Sequence, residues 1–294
     1  MSLSYISGMK PYNIFNLFFC LMLSQSAFSE NEEIVLHDAH IHYSQDMWDI
    51  LPVDQALKMM KEAGVNRALV SATPTEGAEK LFKADPDLVI PMLRPYKSWR
   101  HRFTWFKDPE LKSYLLEHLK RIAYRGFGEF HVFGEDADTQ AVAQMIALAQ
   151  ERNMPLHAHT DLLGMNILLR KASGLAVIWA HGGFDVATEK LEALLKIYPE
   201  FYIELSYREG MMDESLKLTP EWNALLNKYQ KRFLVGMDTY KPSRWVNLPE
   251  NTAHARVWLK QLPENVAADI ARNNLDYLFP VKHNKGLYRD ALNK

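Results

Sequence analysis

His40 and His42 close the segment Asp38-Ala39-His40-Ile41-His42. Residues at i and i+2 of a strand point to one face, so two imidazoles placed this way can hold one cation from one side. The apolar run Ile34-Val35-Leu36 just before them reads as the strand that carries them. The pattern recurs along the chain. Glu129 and His131 lie in YRGFGEFHVF, His157 and His159 close MPLHAH, His181 closes LAVIWAH and Asp238 closes FLVGMD. Ionisable groups are seldom sent into a protein interior unless something there binds them, and a divalent cation satisfies several at once.

Imidazole and carboxylate without thiolate suit zinc, and also iron, manganese or nickel. A hydrolytic zinc keeps one position for water and brings the pKa of that water to about 7. Asp238 beside such a water can take its proton and pass it to a leaving group. Several roles stay open at this level. His40 and His42 have ordinary hydrogen-bonded histidines as their alternative, and Glu129 an ion-paired carboxylate outside the ligand set. His157 and His159 compete for one ligand place. His131 reads as a group beside the ligands or facing substrate. His181 reads as a ligand or as a group that orients substrate, and Asp238 as a base or a helix cap.

Such residues need a scaffold that brings distant segments to one rim. Eight short apolar runs read as strands: near 34–42, 65–73, 88–93, 124–133, 154–159, 175–181, 201–207 and 233–238. Helical spacing falls between them at 53–64, 76–84, 138–153, up to 171, 186–198 and up to about 231, and two more helices near 251–262 and 264–279 finish the chain. Asp108-Pro109-Glu110 reads as the opening of a further helix. Pro91 weakens the third strand. Alternating strands and helices imply a parallel sheet, and eight such units in one domain length predict a single-domain α/β fold, a (β/α)8 TIM barrel, over residues 30–294. In that fold the residues above gather at the C-terminal ends of the strands.

Arg94 after the third strand, Tyr207-Arg208 after the seventh and Tyr240-Lys241 after the eighth could line the pocket or sit on the surface. A guanidinium there favours a carboxylate or phosphate substrate. The aromatic, basic stretch 97–107 (Trp99, Arg100, His101, Arg102, Phe103, Trp105, Phe106) reads either as a lid or as a patch that meets another subunit. His37, His101, His118, His254 and His283 read as structural or surface residues.

The formal net charge is −2, which gives no basic footprint for nucleic acid. Lys10, the apolar run from Ile14 to Leu23 and the small residues before Glu30 describe a secretory signal peptide over residues 1–29, with Met9 as an alternative start. Export to the periplasm or medium is expected, with no membrane span after cleavage. The one cysteine, Cys20, falls inside that segment, so the exported chain has no thiolate ligand and no disulfide.

The motifs together resemble the amidohydrolase superfamily, in its amidohydrolase-related (family 2) and TatD-like branches. The matching residues are His40 and His42 in DAHIH, Glu129 in GFGEFH, His159 in PLHAH, His181 in IWAHGG and Asp238 in VGMD, and the closing IARNNLDYLF places Asn274 at the family's usual asparagine. The resemblance spans nearly all of residues 30–294. It implies one or two divalent metals, most simply Zn2+, with Mn2+, Fe2+ or Ni2+ as alternatives, held by His40, His42, Glu129, His159, His181 and Asp238. Family spacing from Pro155 favours His159 over His157. No lysine stands in GFGEFH, so Glu129 takes the place of a bridging carboxylated lysine, as in TatD-like members. The implied activity is hydrolysis of an amide, ester, lactone or phosphoester in a small-molecule substrate, with Asp238 and His181 catalytic and Arg94, His131 and Tyr240 facing substrate. Decarboxylation on the same scaffold is the first alternative, and a non-catalytic periplasmic metal-binding protein the second. A homo-oligomer is compatible with all three.

Overall fold

The computed structural model describes residues 33–281. The expected signal peptide, Cys20 and His283 lie outside these residues. Eight strands run in chain order, each hydrogen-bonded in parallel to the next: β1 Leu36–His42, β2 Val65–Ser71, β3 Val89–Leu93, β4 Gly126–His131, β5 Leu156–His159, β6 Val177–Trp179, β7 Phe201–Glu204 and β8 Phe233–Leu234. The ring closes beyond β8. There Ala39 N–H donates to Val235 O at 2.8 Å, and Asp238 N–H donates to His40 O at 2.7 Å. This is the expected single-domain (β/α)8 barrel. No helix among the described residues is long and apolar enough to cross a membrane.

Between the strands lie α1 Val53–Glu62, α2 Glu76–Ala84, α3 Leu111–His118, α4 Gln140–Arg152, α5 Leu162–Lys171, α6 Thr188–Ile197 and α7 Pro220–Lys228. After β8 come α8 Pro242–Val246, α9 Leu248–Leu259, α10 Glu264–Ala268 and α11 Asn274–Leu278, with a π-helical turn between the last two. Local chemistry sets several ends. Thr139 Oγ1 accepts from Val142 N–H at the start of α4, and Asn153 at φ 51° stops it in the left-handed conformation that asparagine tolerates. Asp161 Oδ1 accepts from Gly164 N–H (2.7 Å) to open α5 and from Gly134 N–H (2.9 Å) on the neighbouring loop.

Two local expectations need correction, while the third strand stands despite its proline. The helix placed at Asp108-Pro109-Glu110 starts at Leu111, because Asp108 Oδ1 spends itself on Glu110 N–H in a turn. The final strand is two residues long, since the chain from 235 onward bonds to β1 instead of to β7. Pro91 sits inside β3; its carbonyl still accepts from Arg125 N–H at 2.9 Å.

Two apolar layers hold this arrangement. The larger one packs the outer faces of the strands against the helices. The smaller one includes Leu69, Met92, Ile178, Tyr202 and Leu234 from alternate strand positions, closed by Leu275 in the last helix described and Phe279 at its cap. Burying each such side chain contributes about 1.5–3 kcal/mol relative to exposure. Two residues further along, the same strand faces turn polar: Leu69 is followed by Ser71, Met92 by Arg94 and Tyr202 by Glu204. That switch from apolar to polar marks the floor of the site.

Candidate metal centre

The ends of β1, β4, β5, β6 and β8 meet. His40 Nε2 and His42 Nε2 are 3.1 Å apart. Glu129 Oε2 lies 3.4 Å from His40 Nε2 and 3.1 Å from His42 Nε2. Asp238 Oδ1 lies 3.7 and 3.2 Å from the same two nitrogens. Ligand atoms that share one zinc at about 2.1 Å stand roughly 3.4 Å apart in a tetrahedron, so this spacing suits a cation among them. His181 Nε2 stands 3.8 Å from Glu129 Oε1 and 4.0 Å from Asp238 Oδ2. His159 Nδ1 is 2.9 Å from Glu129 Oε1. Glu129 thus turns one oxygen to the β1 histidines and the other to His159 and His181.

The outward ring nitrogens are tied. His40 Nδ1 faces Glu204 Oε2 at 2.8 Å, His42 Nδ1 faces Ser71 O at 3.2 Å, and His181 Nδ1 faces Ser206 O at 3.0 Å. Donation from Nδ1 to these acceptors leaves each Nε2 as a lone pair aimed inward. Lone pairs 3.1 Å apart repel unless a cation or proton lies between them. Asp238 Oδ1 is buried without a hydrogen-bond partner. Three carboxylates, Glu129, Asp238 and Glu204, surround His40, and Arg94 is the fixed cation bonded to one of them. The donor set, its charge and its orphaned oxygen therefore fit a divalent metal.

The ionisation of the cluster follows from the same crowding. Burial works against a charge on His40, yet Asp238, Glu129 and Glu204 raise its pKa well above the ordinary value. Burial also works against Asp238, which His40 and His42 nonetheless hold well below the usual carboxylate range. For Glu204 burial is outweighed by His40, and the carboxyl falls to about 2. Burial, with the His40 charge added, pushes His157 down to about 3.

A pH dependence of stability follows. An unfolded histidine takes a proton near pH 6.5, whereas folded His157 refuses it until about pH 3. Below pH 6.5 the unfolded state therefore binds more protons, and stability falls with pH, by up to about 1.4 kcal/mol per pH unit for this one group. His40, whose pKa is raised, opposes this loss near pH 6.5 and adds nothing once the unfolded imidazole is protonated too; His131, pushed down to about 2, adds to the loss, and Asp38, pushed up to about 8, opposes it, so that a net fall remains. Glu204, with its pKa depressed to about 2, extends the loss below its unfolded value near 4.5. Urea midpoints of the metal-free protein should drop between pH 6.5 and 5, and less so in His157→Gln. A flat or rising midpoint would contradict this burial.

Local backbone strain accompanies the site. His181 and Asp238, both at the rim, have φ of 60° and 49°, as do the cavity residues Phe184 and Tyr207 at 61° and 53°. Non-glycine residues rarely sit there, and such outliers gather at functional sites. Position 236 leaves no room for a side chain, since a Cβ there would press on the Glu204 carboxylate and come within 2.9 Å of His40 Cβ.

A cavity of about 360 Å3 opens over the cluster. His42, Glu129, His131, His159, His181, Asp238, Arg94 and Tyr240 all reach it, so the sequence-predicted residues converge, with His40 buried alongside. His157 does not line the cavity. Its ring packs on His40 at 4.7 Å, and Nε2 is buried without a partner. Arg94 lines the cavity with its terminal donors engaged by Glu129 Oε2 (2.9 Å) and Thr73 Oγ1 (2.8 Å), while its Nε is buried without a partner. His131 Nδ1 meets Tyr96 Oη at 3.1 Å, and its pKa is pushed down to about 2 chiefly by burial. The stretch 97–107 divides. Trp105 is fully buried and donates to His131 O at 2.8 Å, while Trp99 and Arg102 reach the cavity.

Glu204, Ser206, Asp38 and Arg102 were not singled out by motif. Glu204 and Asp38 carried one usable signal: a carboxylate inside an apolar strand demands a partner. Asp38 Oδ1 accepts from His40 N–H (2.9 Å) and Met237 N–H (3.0 Å), pinning β1 to the segment after β8. Burial pushes this carboxyl up to about 8.

No family model and no curated protein matches the chain. Solved structures do. A zinc-bound amidohydrolase from Burkholderia multivorans superposes with a TM-score of 0.57 at 14% identity, over 84% of this chain and 100% of its own. A TatD-family hydrolase from Entamoeba histolytica gives 0.56 at 12% identity, over 84% and 100%. A TatD homologue from Escherichia coli gives 0.56 at 16% identity, over 84% and 98%. The chain shares the fold of these amidohydrolase structures.

Proposed function

We propose that the protein is a metal-dependent hydrolase of the amidohydrolase type, acting on an ester, lactone or amide. The observation that carries this reading is the set of inward-facing nitrogens and oxygens at β1, β4 and β8, with His40 and His42 tied from behind. His40, His42, Glu129 and Asp238 would hold one divalent cation, and His159 and His181, on the far oxygen of Glu129, would complete the set or hold a second. Zinc suits this donor set. Such a cation supplies a Lewis acid and lowers the pKa of water toward neutrality.

The rest falls to the chain. Asp238 is kept ionised by His40 and His42, so its carboxylate can receive a proton from the attacking water and deliver it to the leaving group. His181, fixed through Nδ1 on Ser206, presents its Nε2 lone pair inward and would serve as a ligand to the cation. Arg94 neutralises Glu129 and keeps it in place. The aromatic side chains Trp99, Phe184, Tyr207 and Tyr240 line the mouth and limit water.

Turnover of a panel of aryl esters, lactones and anilides tests this. Dialysis against a chelator should abolish any activity found, and stoichiometric Zn2+ should restore it. Activity that survives complete metal removal would overturn the reading.

A further inference from the structure

We propose that the substrate carries a carboxylate remote from the bond that is cleaved, and that Arg102 holds it at the mouth of the cavity. The proposal rests on the hydrolase reading of the centre and extends it to a substrate class. Two arginines line the cavity, Arg94 and Arg102. Arg94 is buried, and its charge is spent on Glu129 at 2.9 Å. Arg102 differs. Among the described residues its guanidinium makes no hydrogen bond or ion pair through any nitrogen, whereas Arg94 leaves only Nε without a partner.

Its position is nevertheless defined. The guanidinium lies 5.0 Å from the Trp99 ring and 4.6 Å from the Phe103 ring. Stacking of this kind fixes the plane of the group and leaves the N–H edges unspent. A half-buried cation with free donors costs free energy that a bound anion would recover. The other aromatic groups of the lining, Trp99, Phe184, Tyr207 and Tyr240, offer flat surfaces and hydroxyls, and the lining holds no further arginine or lysine.

One guanidinium matches one carboxylate through two parallel hydrogen bonds. A phosphate dianion would bring a second negative charge toward Glu129 and Asp238 with nothing left to meet it. The ligand chemistry that fits is therefore a small, flat or apolar body with a carboxylate at one end and the hydrolysable group at the other.

Terephthalate and 4-carbamoylbenzoate test this, because they differ only in whether the remote group is charged. Both present one carboxylate to the zinc-loaded centre. Calorimetric titration of the zinc-loaded protein should show terephthalate binding about tenfold more tightly, the usual scale of a charged hydrogen bond. Arg102→Gln should remove that preference, and Arg102→Lys should keep part of it. No preference in the unmodified protein, or a preference untouched by Arg102→Gln, would overturn the assignment. The readout needs no turnover, so a failed hydrolase reading would show as absent activity with the preference intact.

Discussion

Asp238→Asn is expected to lower kcat by about 10²–10⁴ while the protein stays folded. The backbone at Asp238 has φ 49°, a conformation that asparagine adopts more readily than most residues, so the substitution adds no strain. Oδ1 makes no hydrogen bond that the amide would break. What is lost is the basicity and charge of an oxygen 3.2 Å from His42 Nε2. Metal content measured on the same preparation separates loss of the base from loss of the ion. Turnover near the unmodified level with metal retained would remove Asp238 from proton transfer.

The second large effect is expected at Glu204. This carboxylate is fully buried, and every contact it makes is with a donor. Oε2 accepts from His40 Nδ1 (2.8 Å), Ser206 Oγ (2.9 Å) and His181 N–H (3.2 Å), while Oε1 takes Ser206 N–H. Glu204→Gln fits the space but turns one oxygen into a donor facing donors. His40 then loses the partner that fixes its tautomer. Removing such an outer partner typically weakens metal binding 10–100-fold. Competition with a chromogenic chelator should show that loss for Zn2+, together with an unchanged far-UV spectrum. An unchanged affinity would mean that Glu204 serves packing alone.

The sequence carried the barrel because it writes the two periods plainly. VNRALVS reads as strand and EGAEKLFKA as helix, and the structure places them at Val65–Ser71 and Glu76–Ala84. It carried the centre because the i, i+2 pairs His40/His42 and Glu129/His131 mark the strand face that points inward. What it did not carry depends on closure and on tertiary geometry. His181 reads as a strand residue, but the strand stops at Trp179 and the histidine turns in at φ 60°. Glu204 sits in FYIELSY, where polar residues alternate with apolar ones as they would on an exposed face; only the barrel shows that face to be the inner one. His157 and His159 are equivalent in sequence. The cavity takes in His159, while His157 packs on His40 below it. Arg102 looks like any loop arginine until its lack of a counter-charge among the described residues is seen beside the cavity.

The account stands on a cation gripped by imidazoles and carboxylates from separate strands. Elemental analysis of protein purified without added metal, set beside His40→Ala, tests that most directly. One or two equivalents of a divalent metal are expected in the first preparation and a trace in the second. The same trace in both would leave the cluster without a metal and the proposed chemistry without its centre.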